Sequence, residues 1–123
     1  MSADARDWAH GWRSPLLAAL AAAMFAAILA MIEFPPRSIW MDESWSASAA
    51  ALSMLEAAVL TLRFDLHPPL YYMQLSLWGS FGQSDAWLYG NSVFWGVVAV
   101  FALTLAAARF YDVRAGLAAG CVL

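Results

Sequence analysis

The sequence predicts an all-α membrane protein: two transmembrane helices, the start of a third, and two interfacial helices in an extracytoplasmic loop. Hydrophobic residues make up 63% of the 123-residue chain and charged residues only 12%, and the mean hydropathy is +0.65. Soluble domains carry about 45–50% apolar and about 25% charged residues. The composition therefore excludes intrinsic disorder and favours a membrane protein.

Charge and cysteine content exclude further classes. Six Arg, no Lys and nine acidic residues give a net charge of −3. Since no basic patch or run is present, nucleic-acid binding has no electrostatic basis. Cys121 is the only cysteine, which excludes an intramolecular disulfide and a cysteine-based metal site.

The first predicted span is residues 15–32, which follow a polar segment, 1–14, assigned to the cytoplasm. The run holds 18 residues without a charge. As a helix it is about 27 Å long, close to the bilayer core of about 30 Å. Pro15 suits a first helical turn, and Pro35 and Pro36 end the helix. A signal peptide is the alternative, but the run is long for one and no small-residue cleavage site follows it.

The loop 33–87 is more polar and contains two predicted amphipathic helices, at about 43–62 and at 68–81. The first is too polar to cross a membrane and the second is too short, so both are predicted to lie at the membrane surface. Apolar residues recur at helical spacing in both, at Trp45, Leu52, Leu55, Val59 and Leu62 and at Leu70, Met73, Leu77 and Phe81.

The second predicted span is residues 88–108, followed by a cytoplasmic turn at 109–114 and the start of a third span at 115–123. A run that stops after nine residues suggests a fragment of a longer protein. The positive-inside rule supports this topology. It places four Arg in the cytoplasm and two outside, namely Arg6, Arg13, Arg109 and Arg114 against Arg37 and Arg63.

Two adjacent carboxylates, Asp42 and Glu43, follow the first span where an amphipathic helix starts. A partly desolvated carboxylate at the water–lipid boundary can have a raised pKa and act as a general base. The alternative is structural: Asp42 is a plausible N-cap and Glu43 a favourable acid in the first helical turn.

A second cluster surrounds His67, which precedes Pro68 and Pro69. The two prolines start a helix and hold the preceding residue extended, so His67 has a defined position for binding a metal, a phosphate or a hydroxyl. The alternative is that His67 only caps the helix. Arg63 pairs either with a phosphate or with Asp65.

A third cluster stands at the entrance of the second span, in Trp-Leu-Tyr-Gly-Asn-Ser. Asn91 and Ser92 suit a polar cavity. The alternative is that Trp87 and Tyr89 anchor the helix at the membrane interface.

The order of these pieces resembles the N-terminal part of the GT-C membrane glycosyltransferases, the protein mannosyltransferase-like and aminoarabinose transferase-like group. The resemblance runs from Pro15 to the end. It consists of a span, Asp-Glu at an amphipathic helix, His-Pro-Pro-Leu-Tyr-Tyr, Phe-Gly-Gln-Ser-Asp-Ala-Trp-Leu-Tyr-Gly-Asn-Ser, and a second span ending in Ala-Arg-Phe-Tyr-Asp-Val-Arg. The family usually shows Arg-Leu-Pro-Ser where this chain has Leu-Tyr-Gly-Asn-Ser, so a phosphate contact there is not expected.

The resemblance implies an inverting sugar transfer from a polyprenyl-phosphate donor to an acceptor on the outer face of the membrane. Asp42 would be the general base, and Glu43 would orient the site. Arg63, His67 and Tyr71 would bind substrate. No cofactor is certain; a divalent metal, if used, would be held by Asp42, Glu43 or His67.

Such enzymes have many more spans and lie in the cell membrane, so this chain alone is expected to be inactive. The acceptor is not identified by the sequence. The alternative function is a small non-catalytic membrane protein whose outer loop binds a partner or a lipid. A transporter fragment has less support, because neither predicted span contains a charge.

Overall fold

The computed structural model describes residues 3–32, 41–64 and 68–123, and of residues 3–10, 12 and 41–43 only the backbone. Every regular element in this part of the chain is an α-helix, which confirms the predicted all-α class. The helices are α1 (Ala3–Ile32), α2 (Met41–Ala50), α3 (Met54–Phe64), α4 (Pro69–Gly79), α5 (Asp85–Phe110) and α6 (Val113–Val122).

Two of the described helices are long and apolar enough to cross a membrane. These stretches are Arg13–Ile32, with a mean hydropathy of 2.4, and Asp85–Phe110, with a mean hydropathy of 2.0. Only 22% of the first window and 17% of the second are buried, whereas the core helix of a soluble domain is mostly buried. Length, composition and exposure thus agree with a membrane protein.

The first helix starts earlier than the sequence predicts. It begins at Ala3, so Pro15 lies inside it rather than in its first turn. Proline in a helix interior removes one backbone hydrogen bond and costs about 3 kcal/mol.

The chain forms two compact units, 1–33 with 93–123 and 34–92. In the first unit α6 begins at a cap, where the backbone N–H of Ala115 donates to Asp112 Oδ1 at 2.8 Å. A Cβ at Gly116 would lie 2.7 Å from the carbonyl oxygen of Thr104, and one at Gly120 would meet the Thr104 hydroxyl. The small-residue spacing seen in the sequence therefore lets α6 lie directly against α5.

In the second unit, two helices replace the single predicted helix at about 43–62. The chain turns at 51–53, and α3 starts anew at Met54. The cause is a capping box: the Ser53 backbone N–H and hydroxyl donate to Glu56 Oε2 at 3.0 and 2.7 Å. The Glu56 backbone N–H donates back to Ser53 Oγ at 3.4 Å. This reciprocal pattern starts a helix.

The core of the second unit is small and consists of Ala49, Ala57 and Tyr72, with Leu52 packed against it. Larger apolar side chains of α3 and the α4 region point away from this core. Leu55 is 74% exposed and Phe81 is 77% exposed. Leu62, Leu70 and Leu77 are exposed as well. An apolar surface of this kind on helices marks a site of contact with a lipid or a partner.

Candidate functional site

The predicted carboxylates lie in the first turn of α2. The helix begins at Met41, which places the backbones of Asp42 and Glu43 inside the helix rather than at its N-cap. Acidic residues in a first turn interact favourably with the helix dipole. Their side chains lie outside the described residues, so the roles of general base and of orienting residue stay predictions.

His67, the predicted ligand of the second cluster, lies outside the described residues, as does Asp65. The helix that follows is described. Pro68 is extended, with φ −60° and ψ 133°, and Pro69 is the first residue of α4. The Pro-Pro pair thus starts the helix in the way that the sequence predicts.

Arg63 and Tyr71, the other predicted substrate-binding residues, both have described side chains. Arg63 is exposed in the last turn of α3, where the helix dipole favours a cation. Tyr71 is 43% exposed, and its ring meets the ring of Tyr72 edge to face with centroids 5.0 Å apart. Tyr72 is only 4% exposed and belongs to the core, whereas the ring of Tyr71 remains accessible.

The metal prediction depends on residues beyond those described. Among the described side chains, no group of three or more His, Cys, Asp or Glu is placed to hold an ion. The predicted donors Asp42, Glu43 and His67 are not in that set. A metal held by them therefore stays a prediction.

A reciprocal tryptophan pair joins α4 to the start of α5. The Trp78 indole N–H donates to the carbonyl oxygen of Trp87 at 2.9 Å, and the Trp87 indole N–H donates to that of Trp78 at 3.0 Å. The two rings stack with centroids 5.1 Å apart and planes inclined by 26°. Gly82 makes room for this contact, since a Cβ there would lie 3.1 Å from Trp87 Cγ.

One helical turn away, a reciprocal amide pair repeats the pattern. Gln74 Nε2 donates to Asn91 Oδ1 at 3.0 Å, and Asn91 Nδ2 donates to Gln74 Oε1 at 3.1 Å. Asn91 is only 1% exposed, so without Gln74 its amide would be buried and unpaired. Both pairs are symmetric about the same point in the chain, between Gly82 and Gln83, as in an antiparallel helical hairpin.

The hairpin changes the interpretation of the third cluster. Asn91 is a buried partner of Gln74, not a side chain lining an open cavity, and Trp87 donates its indole proton to α4 in addition to any anchoring. Gln74 is not among the residues predicted from the sequence. A usable signal was present: Gln74 and Trp78 are four residues apart, as are Trp87 and Asn91, and the two sets mirror each other about a glycine-containing turn.

The hydrogen bonds of the capping box stabilise the ionised form of the Glu56 carboxyl. The hydrogen bonds from the Ser53 hydroxyl and, next, from the Ser53 backbone N–H lower the pKa of the Glu56 carboxyl below its usual value. The side chain is exposed. In its ionised form it accepts the two hydrogen bonds from Ser53 that form the capping box.

Comparisons of the chain with protein-family models, with curated proteins and with solved structures give no match. A function therefore has to be argued from the motifs and from the geometry described above.

Proposed function

We propose that the chain is the N-terminal part of an integral membrane glycosyltransferase of the GT-C type. The enzyme transfers a sugar, with inversion, from a polyprenyl-phosphate donor to an acceptor on the extracytoplasmic face. One observation carries the proposal: the Asp42-Glu43 and His67-Pro68-Pro69 motifs occur in this order between two helices that are long enough to span a membrane.

The proposed chemistry needs a base beside the acceptor and stabilisation of charge on the departing phosphate. Asp42 takes the proton of an acceptor hydroxyl. The acceptor oxygen bonds to the anomeric carbon as the bond from that carbon to the donor phosphate breaks, and polyprenyl phosphate leaves. Glu43 orients the site or helps to hold a metal, while His67, Arg63 and Tyr71 bind substrate.

A lipid-borne donor carries its reactive carbon at the level of the lipid head groups, so the base has to lie there too. We assign α3 and α4 to the membrane interface. Each has 11 residues, about 16 Å of helix, which is too short for a core of about 30 Å. Their exposed apolar side chains and the aromatic rings of Tyr71 and Trp78 suit the head-group region.

The test uses the complete gene product in membranes with radiolabelled polyprenyl-phosphate sugars. Replacing the base, Asp42→Asn, is expected to lower turnover by about 10²–10⁴-fold, which is the usual contribution of a general base. Asp85→Asn is the matched control, because it makes the same chemical change on a carboxylate in the first turn of α5. It is expected to leave turnover near the wild-type value. Full activity in Asp42→Asn would remove Asp42 from the mechanism.

The second candidate is a non-catalytic membrane protein whose outer loop binds a partner or a lipid. The exposed apolar side chains of α3 and α4 favour it, since they offer a binding surface without any chemistry. The reading frame downstream of Leu123 separates the two candidates. Further predicted spans would favour the enzyme, and a stop codon would favour the binding protein.

A further inference from the structure

A shallow pocket of about 280 Å³ lies within the second unit, where the end of α2, the start of α3 and the end of α4 meet. None of its lining residues is among the predicted catalytic or substrate-binding residues, although Gln83 belongs to the Phe-Gly-Gln-Ser segment of the resemblance. Polar side chains supply much of its lining, namely Ser53, Ser76, Ser80 and Gln83. Leu77, which is 53% exposed, forms part of the apolar rim.

Each of the three serine hydroxyls of this pocket donates its one hydrogen bond to another group of the protein. Ser76 donates to the carbonyl oxygen of Leu52 at 2.6 Å, and Ser80 donates to that of Leu77 at 2.7 Å. Ser53 donates to Glu56. A hydroxyl has one proton to give but two lone pairs to accept with, so each serine oxygen keeps acceptor capacity. That capacity is smaller at Ser53 Oγ, which already accepts from the Glu56 backbone N–H. A ligand that matches these oxygens has to donate hydrogen bonds.

The electrostatic surroundings favour a cation over a neutral donor. Among the side chains that the structure describes in this unit, Glu56 and Asp85 are acidic and Arg63 is basic. Helix α2 ends at Ala50, which lines the pocket, and α4 ends at Gly79, next to the lining residue Ser80. Helix C-termini carry partial negative charge. The N-terminus of α3 carries partial positive charge. The carboxylate of Glu56, which caps this end, offsets that charge.

From these observations we propose that the pocket binds a primary ammonium group, as found on the head group of an ethanolamine phospholipid. An ammonium has three N–H donors and no acceptor, which fits a set of oxygen acceptors in a negative field. A phosphate finds only the Gln83 amide as a side-chain donor among these four residues. The exposed apolar rim formed by Leu77 suits the chains of a lipid ligand. The inference does not depend on the glycosyltransferase assignment.

The test compares phospholipids that differ only in their head groups. The full chain is purified in detergent and mixed with equal amounts of phosphatidylethanolamine, phosphatidylcholine and phosphatidylglycerol with the same acyl chains, and bound lipid is counted by native mass spectrometry. Choline keeps the charge and the phosphate but has no N–H. We expect ethanolamine lipid to be retained roughly tenfold over choline lipid, equivalent to one or two net hydrogen bonds. Equal retention would overturn the proposal, as would preference for the glycerol lipid.

Two variants test whether the ammonium group binds in this pocket. Gln83→Lys puts a positive charge at the pocket and is expected to abolish the preference for ethanolamine lipid. Ser48→Lys adds the same charge to α2 outside the pocket lining and is expected to keep it. Helix content from circular dichroism shows that both variants fold. If the two variants behave alike, the ammonium does not bind in this pocket.

Competition identifies the source of the ammonium. Displacement of the lipid by excess free ethanolamine but not by free choline supports recognition of the ammonium itself and points to a small amine. Retention of the lipid against both, with the preference for ethanolamine lipid intact, supports a lipid ligand. Displacement by choline as readily as by ethanolamine contradicts the proposal, because choline cannot donate.

Discussion

At the scale of single residues, Ser53 and Glu56 decide where α3 starts. A run of apolar residues at helical spacing crosses positions 45–62, and it favours one continuous helix. The capping box interrupts it because a Ser that bonds a Glu three residues on satisfies backbone N–H groups that a new helix start leaves open. The Ser-x-x-Glu signature is present in the sequence, but the apolar spacing that crosses it predicts one continuous helix.

This pair predicts a pH dependence. The folded pKa of Glu56 lies below its ordinary value of 4.5 because Ser53 donates to the carboxylate. The stabilisation is therefore present above pH 4.5 and is lost as the pH falls through the lower, folded pKa. Ser53→Ala is expected to raise the Glu56 midpoint toward 4.5, measured by NMR titration of the side-chain carboxyl carbon. Ser48→Ala, which removes a hydroxyl from α2, serves as control. An unchanged midpoint in Ser53→Ala would show that the box does not form.

At the scale of elements, the α4–α5 hairpin is held by two reciprocal pairs of hydrogen bonds. Pro68 and Pro69 predict the start of α4, because proline geometry is local. The pairing of Gln74 with Asn91 and of Trp78 with Trp87 depends on how the chain turns at Gly82, and a periodicity within one helix does not contain that information. The amides of Gln74 and Asn91 stand in largely apolar helices. Because buried amides need partners, they indicate that some pairing occurs, but not with which residue.

The amide pair predicts a coupling energy. Gln74→Leu leaves the buried amide of Asn91 without its partner and is expected to lower the free energy of unfolding by about 1–3 kcal/mol. Asn91→Leu leaves the half-buried Gln74 amide without this bond and is expected to cost less. The double variant removes both amides and is expected to cost less than the sum, with a coupling of about 1 kcal/mol. Unfolding of the purified chain in mixed detergent micelles measures these values.

The control cycle combines Gln74→Leu with Ser92→Ala, a neighbour of Asn91 on α5. These two changes are expected to be additive, because Gln74 bonds Asn91 and not Ser92. Additive values for the amide pair itself would mean that the two side chains do not interact in the micelle.

At the scale of the whole molecule, the predicted topology places the loop between the spans outside and the turn near Tyr111 in the cytoplasm. The chain offers a direct test, because its only cysteine, Cys121, can be replaced by Ser. In that background Ser48→Cys is expected to react with a membrane-impermeant maleimide on intact cells. Tyr111→Cys is expected to react only after the cells are permeabilised. The reverse pattern would place Asp42 in the cytoplasm and end the proposal of an extracytoplasmic base.

The sequence by itself determined the helical class and the two helices long enough to cross a membrane, because composition and run length act locally and need no partner. It also predicted that the Pro68-Pro69 pair starts a helix, which the structure begins at Pro69. Only the tertiary structure decided that Asn91 bonds Gln74, that Gly116 lets α6 lie against α5, and that three serines line one pocket. These facts depend on residues far apart in the chain, and close approach and hydrogen-bond direction exist only once the helices have packed.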